Sequence, residues 1–279
     1  LEDKPYIIAG NADYSATSLI NPPQQVQLRK RYEDSIIDDA RDRWNIFLGN
    51  AVHEKIEKEL KSKPEKYILE RKFTDIIDGR KVVAKLDAYD VETATLYDHK
   101  TCKTFAYTND IKDEWEQQLN INAYFLNKEG IQPERAYINA LMLDWIIGKA
   151  KFSSAKEYPK NPMQLFDVPL WSEEEQEEFI KERLALHKAA EDLPDEQLPE
   201  CTEEEMWAKP PSFAVKRKGV YVAKRVLPTR EEAEEWMAKS KLPDLYIEER
   251  GGERTRCENY CNVKDFCPQY KKYLATKEV

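Results

Sequence analysis

Residues 82–100, VVAKLDAYDVETATLYDHK, decide our interpretation of the fold. The first and last parts of this stretch, VVAKLDAY and TLYDHK, are rich in apolar, β-branched and aromatic residues, as strands are. The polar residues between them are typical of a short turn. We therefore expect two strands that lie side by side in one sheet.

These two strands bring charged side chains together. Because side chains alternate between the faces of a strand, Asp98 and Lys100 point to one face and His99 to the other. With Asp87 on the first face, two carboxylates and an ammonium meet at one end of the hairpin. Mg²⁺ binds to proteins through one or two carboxylates, and a lysine beside it can orient an attacking water. The alternative is a solvated surface, where such pairs are common.

The sequence on either side alternates between helix and strand patterns. Residues 17–60 are rich in helix formers, with a break expected at Gly49 and an end before Pro64. Strands are predicted at residues 67–74, 82–89, 95–101 and 136–145, and helices at 115–128 and 172–191. This order predicts an α/β fold over residues 1–193, with one central mixed β-sheet flanked by helices.

Residues 194–279 differ in character from the rest. Prolines and acidic residues dominate 194–211, which is typical of a linker. A hairpin pattern at 213–226, a helix pattern at 231–239 and a strand pattern at 245–249 follow. They predict a small ββαβ insertion, at about residues 212–250, within a C-terminal region that also carries a cluster of cysteines.

The composition suits a water-soluble globular protein. The chain has 279 residues, of which 41% are hydrophobic and 35% charged, and this length allows one large domain or a domain with an insertion. No run approaches the roughly 18 apolar residues of a membrane span, and residues 1–11 lack the order of a secretory signal. We expect a cytoplasmic protein. The net charge of -9 excludes a generally basic surface but not a local basic patch.

Three further residues are candidates for the same site. His53 lies on the predicted helix before the strands, where it is either a metal ligand or a half-buried packing residue. Gln118 lies near the start of the following helix, where it either supports the lysine and the metal-bound water or is plain helix surface. Glu70, ahead of the central strands, is a candidate auxiliary acid.

In order and spacing these residues resemble the PD-(D/E)xK nucleases of the RecB-like branch, which includes phage exonucleases and CRISPR-associated adaptation nucleases. The resemblance covers about residues 45–130 and rests on four short motifs: Gly49-x-x-x-His53, Leu86-Asp87, Asp98-His99-Lys100-Thr101 and Gln118-Leu119. One departure is visible, because the fourth residue after Gln118 is Asn122, where the family motif has tyrosine, and Tyr124 lies two further on.

The resemblance implies a restriction-endonuclease-like core that uses Mg²⁺ or Mn²⁺. It implies that His53, Asp87, Asp98 and the backbone carbonyl of His99 hold the metal. Asp87, Asp98, Lys100 and Gln118 are then the catalytic residues, with Lys100 assisting the attacking water.

The five cysteines are Cys102, Cys201, Cys257, Cys261 and Cys267, and the last three lie within eleven residues. In a cytosolic protein such a cluster favours metal or iron–sulfur ligation over disulfides. Three thiolates need a fourth ligand for a tetrahedral zinc site or a cubane cluster, and Cys201 is the best candidate. Free thiols are the remaining alternative, and we interpret Cys102 as a small packing residue.

The cysteine pattern also resembles RecB-like nucleases with a 4Fe–4S cluster, in which three late cysteines join one distant cysteine. In those proteins the distant cysteine precedes the nuclease core, whereas Cys201 follows it here. The resemblance favours 4Fe–4S over Zn²⁺ as the occupant.

The densest basic stretch lies on the predicted hairpin. We expect it to bind DNA through lysines and arginines that contact phosphates and an aromatic ring that stacks on a base, namely Lys216, Arg217, Lys218, Tyr221, Lys224 and Arg225. The alternative is an exposed charged hairpin that resists edge pairing.

Taken with the resemblance, the residues predict a metal-dependent DNA exonuclease that acts in DNA recombination, repair or phage DNA processing. DNA is the expected partner, with a helicase or recombination protein as a further one and no membrane, in a bacterial or phage-infected cell. The alternative is a non-catalytic DNA-binding or scaffold subunit that keeps the fold and the cluster.

Overall fold

The computed structural model describes residues 12–37, 44–108 and 112–277, which divide into two compact units. The N-terminal unit comprises the described residues up to Val26 and those of Glu33–Asp192. The C-terminal unit comprises Gln27–Tyr32 and the described residues from Leu193 onward.

Up to residue 192 the chain contains both strands and helices. The strands are β1 (Tyr14–Ser15), β2 (Tyr67–Leu69), β3 (Lys72–Ile77), β4 (Arg80–Lys85), β5 (Ala88–Asp90), β6 (Thr95–Cys102), β7 (Arg135–Met142) and β8 (Met163–Val168). The helices are α1 (Ala16–Ile20), α2 (Pro23–Arg31), α3 (Trp44–Leu60), α4 (Asp113–Lys128), α5 (Ile147–Phe152) and α6 (Glu173–Glu191). The mixed α/β class predicted from the sequence is confirmed.

The strands form two sheets, and the prediction of one central sheet was wrong. A five-stranded sheet has the order β2-β5-β6-β7-β8, with β6 and β7 parallel and the other neighbours antiparallel. A three-stranded sheet has the order β1-β4-β3. The chain passes from one sheet to the other twice, once between β2 and β3 and once between β4 and β5.

The two crossings lie opposite each other. The predicted strand 82–89 ends at Lys85 and resumes at Ala88, and the predicted strand 67–74 is interrupted at Glu70, whose φ is 52°. The N–H of Glu70 donates to the carbonyl of Asp87 at 3.1 Å, so the two interruptions are hydrogen-bonded to each other. The two segments therefore pass from one sheet to the other side by side, at Glu70 and at Asp87.

The core of this unit packs helices α4 and α6 with the strands. Both helices lie where the sequence predicts them, and Ser172 caps α6 by accepting from the N–H of Glu175. Fully buried side chains come from both helices and from β6 and β7: Leu96, Leu119, Ile121, Leu126, Ile138, Ile180 and Leu184.

Two other predictions about secondary structure need correction. Gly49 lies inside α3 and does not break it, because this helix continues from Trp44 to Leu60 through the glycine. The strand predicted at 136–145 ends at Met142, and α5 and β8 follow it without having been predicted.

The C-terminal unit has its own small sheets. Its strands are β9 (Ala208–Lys209), β10 (Ser212–Arg217), β11 (Arg225–Leu227), β12 (Leu245–Arg250) and β13 (Glu253–Arg254). Its further helices are α7 (Arg230–Lys239), α8 (Thr255–Asn259) and α9 (Pro268–Lys277). Antiparallel strands in the order β11-β10-β12 carry α7, so the chain runs β-β-α-β from residue 212 to 250.

Within the described ranges, no helix is both long enough and apolar enough to cross a lipid bilayer.

Candidate active site

Asp87 occupies the break between β4 and β5, at the edge of the five-stranded sheet. One of its carboxylate oxygens accepts a hydrogen bond of 2.7 Å from the backbone N–H of His99 on β6. The same oxygen lies 3.4 Å from Nδ1 of His53 on α3. The break therefore turns Asp87 toward both the helix and the strand that carry the other predicted site residues.

Glu70 completes a cluster with these two residues. One ligand atom each from His53, Glu70 and Asp87 lies within 4.8 Å of the others, which is close enough for one metal ion to bind all three. Glu70 lies beside Asp87 because the segment from β2 to β3 passes between the two sheets opposite the segment from β4 to β5. It also forms an ion pair with Lys85. The sequence marked Glu70 only as an auxiliary acid, since its position depends on a crossing that no local pattern shows.

Asp98 and Lys100 lie side by side on β6, as the alternation of the strand predicts. The ammonium of Lys100 is 2.8 Å from a carboxylate oxygen of Asp98, and it donates a hydrogen bond of 2.8 Å to the side-chain oxygen of Gln118 on α4. The three catalytic candidates of this group are thus in contact. Lys100 is held from two sides, by its own strand and by the facing helix.

Burial makes the charge of Asp98 costly. Its side chain is 2% exposed, and this burial raises its pKa, as does the nearby carboxylate of Asp87, while Lys100 acts in the opposite direction. The oxygen nearest Lys100 has no well-aligned hydrogen bond to any described residue. Such an oxygen is suited to a cation, because a second positive charge nearby stabilises the buried carboxylate.

His99 points away from this pair, toward α3. Its ring lies 5.7 Å from the ring of His53 in an edge-on arrangement, and the side-chain nitrogen of Asn139 on β7 is 3.2 Å from its Nδ1. Burial, followed by the charge of His53, lowers the pKa of His99 to about 4. The ring is therefore neutral at physiological pH, and Asn139 is a contact that the sequence did not predict.

The expected tyrosine partner of the glutamine motif is absent from the site. Asn122 and Tyr124 are both buried on α4, at 1% and 4% exposure, and Tyr124 packs edge-on against Phe125. Burial raises the pKa of Tyr124 to about 12, so its hydroxyl keeps its proton. Tyr124 belongs to the hydrophobic core of the N-terminal unit, and Asn122 is a buried polar residue on the same helix.

In the C-terminal unit the structure brings four cysteines into one neighbourhood. The thiol of Cys201 interacts electrostatically with those of Cys257, Cys261 and Cys267, and burial is the main reason that the pKa of each of the four is raised. Among the described residues, no three of these sulfur atoms lie within 4.8 Å of one another. Cys102 is separate from them and packs partly buried against the core of the N-terminal unit.

The backbone of Cys201 is clamped by one side chain. Gln269 of α9 accepts from the N–H of Cys201 and donates to its carbonyl, both at 2.8 Å. Gln269 is itself only 7% exposed. A buried amide thus holds the distant cysteine as a neighbouring strand would.

The basic hairpin is the turn between β10 and β11. Lys216 forms an ion pair of 2.7 Å with Glu248 on β12, so its charge is balanced within the sheet. The ring of Tyr221 at the turn is 98% exposed. Of the remaining basic residues of the predicted set, Arg217 ends β10 and Lys218 follows it, whereas Lys224 precedes β11 and Arg225 begins it. DNA binding by this hairpin stays a prediction.

Comparison with known proteins finds distant structural similarity alone. No protein-family model matches the chain, and no curated protein matches it. The crystal structure of SSO0001 aligns with 67% of this chain and 78% of that one, at 14% identity and a TM-score of 0.44. A phage related exonuclease from Haemophilus somnus 129PT aligns over 62% and 90%, at 11% identity and a TM-score of 0.37.

Proposed function

We propose that this protein is a metal-dependent deoxyribonuclease that hydrolyses DNA phosphodiester bonds from chain ends. The single observation that carries the proposal is that two groups of side chains lie next to each other at strand β6. One is the cluster of His53, Glu70 and Asp87, and the other is Lys100 held by Asp98 and Gln118. A cation site beside a positioned ammonium is suited to metal-dependent hydrolysis of a phosphodiester, because both groups stabilise the negative charge that develops on the phosphate.

The donor set fits Mg²⁺ or Mn²⁺. Carboxylates and an imidazole are suitable ligands for these ions, and the buried Asp98 oxygen that is paired with Lys100 has no well-aligned hydrogen bond to any described residue. His53, Asp87 and Asp98, with the backbone carbonyl of His99, would hold the ion, and Glu70 would assist. When bound, the ion supplies Lewis acidity and lowers the pKa of a coordinated water.

Lys100 is the residue that acts on the attacking water. Its ammonium points between an acid and an amide, and this pairing restricts the flexible lysine to one position before substrate arrives. Gln118 holds it through a neutral acceptor, which leaves the positive charge available to a phosphate oxygen. Asp98 thus has two uses, as a ligand and as the partner that orients Lys100.

The cysteine group, we further propose, holds a 4Fe–4S cluster, with zinc as the less favoured occupant. Four thiolates about 2.3 Å from a single zinc ion would lie roughly 4 Å from one another, whereas no three of the described cysteine sulfurs lie within 4.8 Å of one another. A cubane places its four ligand sulfurs further apart than one zinc ion does, which favours the cluster. Iron and zinc analysis of anaerobically purified protein distinguishes the two.

The nuclease proposal is tested with Asp98→Asn, which keeps the shape of the side chain and removes its charge. End-labelled linear DNA and closed circular DNA are incubated with Mn²⁺. We expect the wild type to degrade the linear form and the variant to be at least about 100-fold slower. Asp75→Asn is the matched control, because Asp75 lies on β3 and its side chain accepts from the neighbouring N–H of Ile76. Equal degradation by the wild type and Asp98→Asn would refute catalysis at this site and favour a non-catalytic DNA-binding subunit.

A further inference from the structure

A second feature of the N-terminal unit lies at the carboxyl ends of β6 and β7. These strands are parallel, so both end at the same edge of the sheet, two residues beyond Lys100. The segments that follow, residues 102–108 and 143–160, are joined to each other. The N–H of Leu143 donates to the carbonyl of Cys102 at 2.9 Å, and the hydroxyl of Tyr107 donates to the carbonyl of Ala155 at 2.8 Å. We call this the β6–β7 end surface.

Aromatic rings project from this surface into solvent. Phe105 is 58% exposed and Phe152 is 92% exposed. Scattered exposed apolar residues are ordinary on a protein surface, but here two large and very open rings lie on segments that are hydrogen-bonded to each other, and both offer a flat apolar face to a ligand. Neither ring contributes to the core of the unit.

The first turn of α3 also lies at the carboxyl end of β6. This helix runs antiparallel to β6, since His53 faces His99 and Gly49 meets Thr101 further along the strand. The start of α3 therefore projects past the carboxyl end of β6. It carries Trp44 and Phe47, 58% and 56% exposed, whose rings stack at 5.7 Å.

The same surface carries uncompensated positive charge. None of Lys103, Lys149 and Lys151 forms an ion pair within the described ranges 12–37, 44–108 and 112–277. The two acids of this surface each accept hydrogen bonds, Asp144 from the N–H of Thr104 and Glu157 from the hydroxyl of Ser154, and neither is paired with one of these lysines. A basic patch is notable in a chain whose net charge is -9, because it is not a consequence of composition.

We propose that the β6–β7 end surface binds a single strand of DNA and leads it to Lys100, an inference that rests on the nuclease function proposed above. Unpaired bases present their faces to aromatic rings, while the phosphates between them contact lysines. A duplex hides those faces inside its own stack, so the rings would have nothing to bind. Rings and lysines together thus select the single strand.

The test is DNA binding without turnover, measured by fluorescence anisotropy with no divalent ion added. The probes are a labelled oligothymidylate and a hairpin duplex of equal length. We expect Phe105→Ala/Phe152→Ala to bind the single strand at least about 10-fold more weakly and the duplex unchanged. Phe152→Leu, which keeps an apolar side chain without a ring, should also weaken binding.

The lysines are tested separately. Lys149→Glu/Lys151→Glu should weaken single-strand binding and make its salt dependence shallower, by about 0.7 in the log–log slope for each phosphate that the variant no longer binds. Lys58→Glu/Lys63→Glu changes the charge equally at the other end of α3 and should have little effect. The inference is overturned by ring variants that bind like the wild type. Tighter duplex than single-strand binding, or equal losses of affinity in the two lysine pairs, would also overturn it.

Hydrolysis of bis(p-nitrophenyl) phosphate separates this inference from the nuclease proposal. That small diester requires the catalytic group but not an extended surface, so ring variants should hydrolyse it at the wild-type rate. A wild type that binds single strands through the rings but hydrolyses no diester refutes the nuclease function alone. A wild type that hydrolyses the diester, with ring variants that bind DNA as tightly as it does, refutes single-strand binding at the β6–β7 end surface alone.

Discussion

At the scale of single residues, His99 shows how burial beside a charged site fixes a protonation state. Its ring is 6% exposed, and the neighbouring His53 and Lys100 add to the effect of burial, so its pKa falls to about 4. The unfolded chain takes up a proton near the ordinary pKa of about 6.5, whereas the folded chain does not. Stability is therefore fully present above pH 6.5 and declines as the pH falls toward 4.

We predict a loss of about 3 kcal/mol from this residue between pH 6.5 and pH 4, since each pKa unit is worth about 1.4 kcal/mol. His99→Asn removes the titrating group and keeps an acceptor for Asn139, so its stability should depend less on pH in that range. Urea unfolding at several pH values measures both proteins. Parallel curves for the two would show that His99 is not responsible.

At the scale of elements, the crossing between the two sheets places the acids. Leu86 is fully buried immediately before Asp87, and its N–H donates to the carbonyl of Arg71 at 3.1 Å. The side chain anchors the short segment that joins β4 to β5. Burial of Leu86 therefore supports the position of the carboxylate that follows it.

Leu86→Ala should cost about 2–5 kcal/mol in the free energy of unfolding, because it leaves a cavity at this crossing. Leu86→Met conserves volume and should cost less than about 1.5 kcal/mol. Unfolding of each variant and the affinity for Mn²⁺ are the measurements. If the crossing positions Asp87, the alanine variant binds Mn²⁺ more weakly than the methionine variant even at a temperature where both are folded. Equal affinities would assign Leu86 a purely structural role.

The limits of prediction follow the range of the interactions involved. Asp98 and Lys100 were placed on one face because the two-residue period of a strand is local. Helices α4 and α6 were found because their apolar residues recur within the helix. The crossing at Glu70 and Asp87 was missed, since it depends on hydrogen bonds between segments far apart in sequence. The break predicted at Gly49 does not occur, because the cost of a glycine in a helix, about 1 kcal/mol, is outweighed by the helix-forming residues in the rest of α3.

Strand β8 was missed for a different reason. It follows α5 after an irregular segment, and its apolar residues do not all face the core, since Leu165 and Met163 are 59% and 49% exposed. A strand at the end of a sheet need not alternate cleanly between apolar and polar residues. Nothing in the local sequence separates it from a loop.

At the scale of the whole molecule, the two units are stabilised in different ways. The N-terminal unit buries a large apolar core, which includes fully buried Leu119, Ile138 and Leu184. The C-terminal unit has small sheets of two and three strands, and its four cysteines lie together. Small units of this kind commonly depend on a metal site for stability. We therefore expect loss of the proposed cluster to affect the C-terminal unit first.

Gln269 offers a way to test that dependence without changing a ligand. Gln269→Ala removes two hydrogen bonds to the backbone of Cys201 and leaves buried groups unpaired, at about 1–3 kcal/mol each. If the protein holds the proposed 4Fe–4S cluster, we predict faster loss of its visible absorption under air, with hydrogen exchange rising in residues 201–269 and unchanged in α4. Lys272→Ala, on the same helix, removes an exposed ion pair with Glu200 and should behave like the wild type. Equal rates of cluster loss in the two variants would mean that the clamp on Cys201 does not hold the ligand in place.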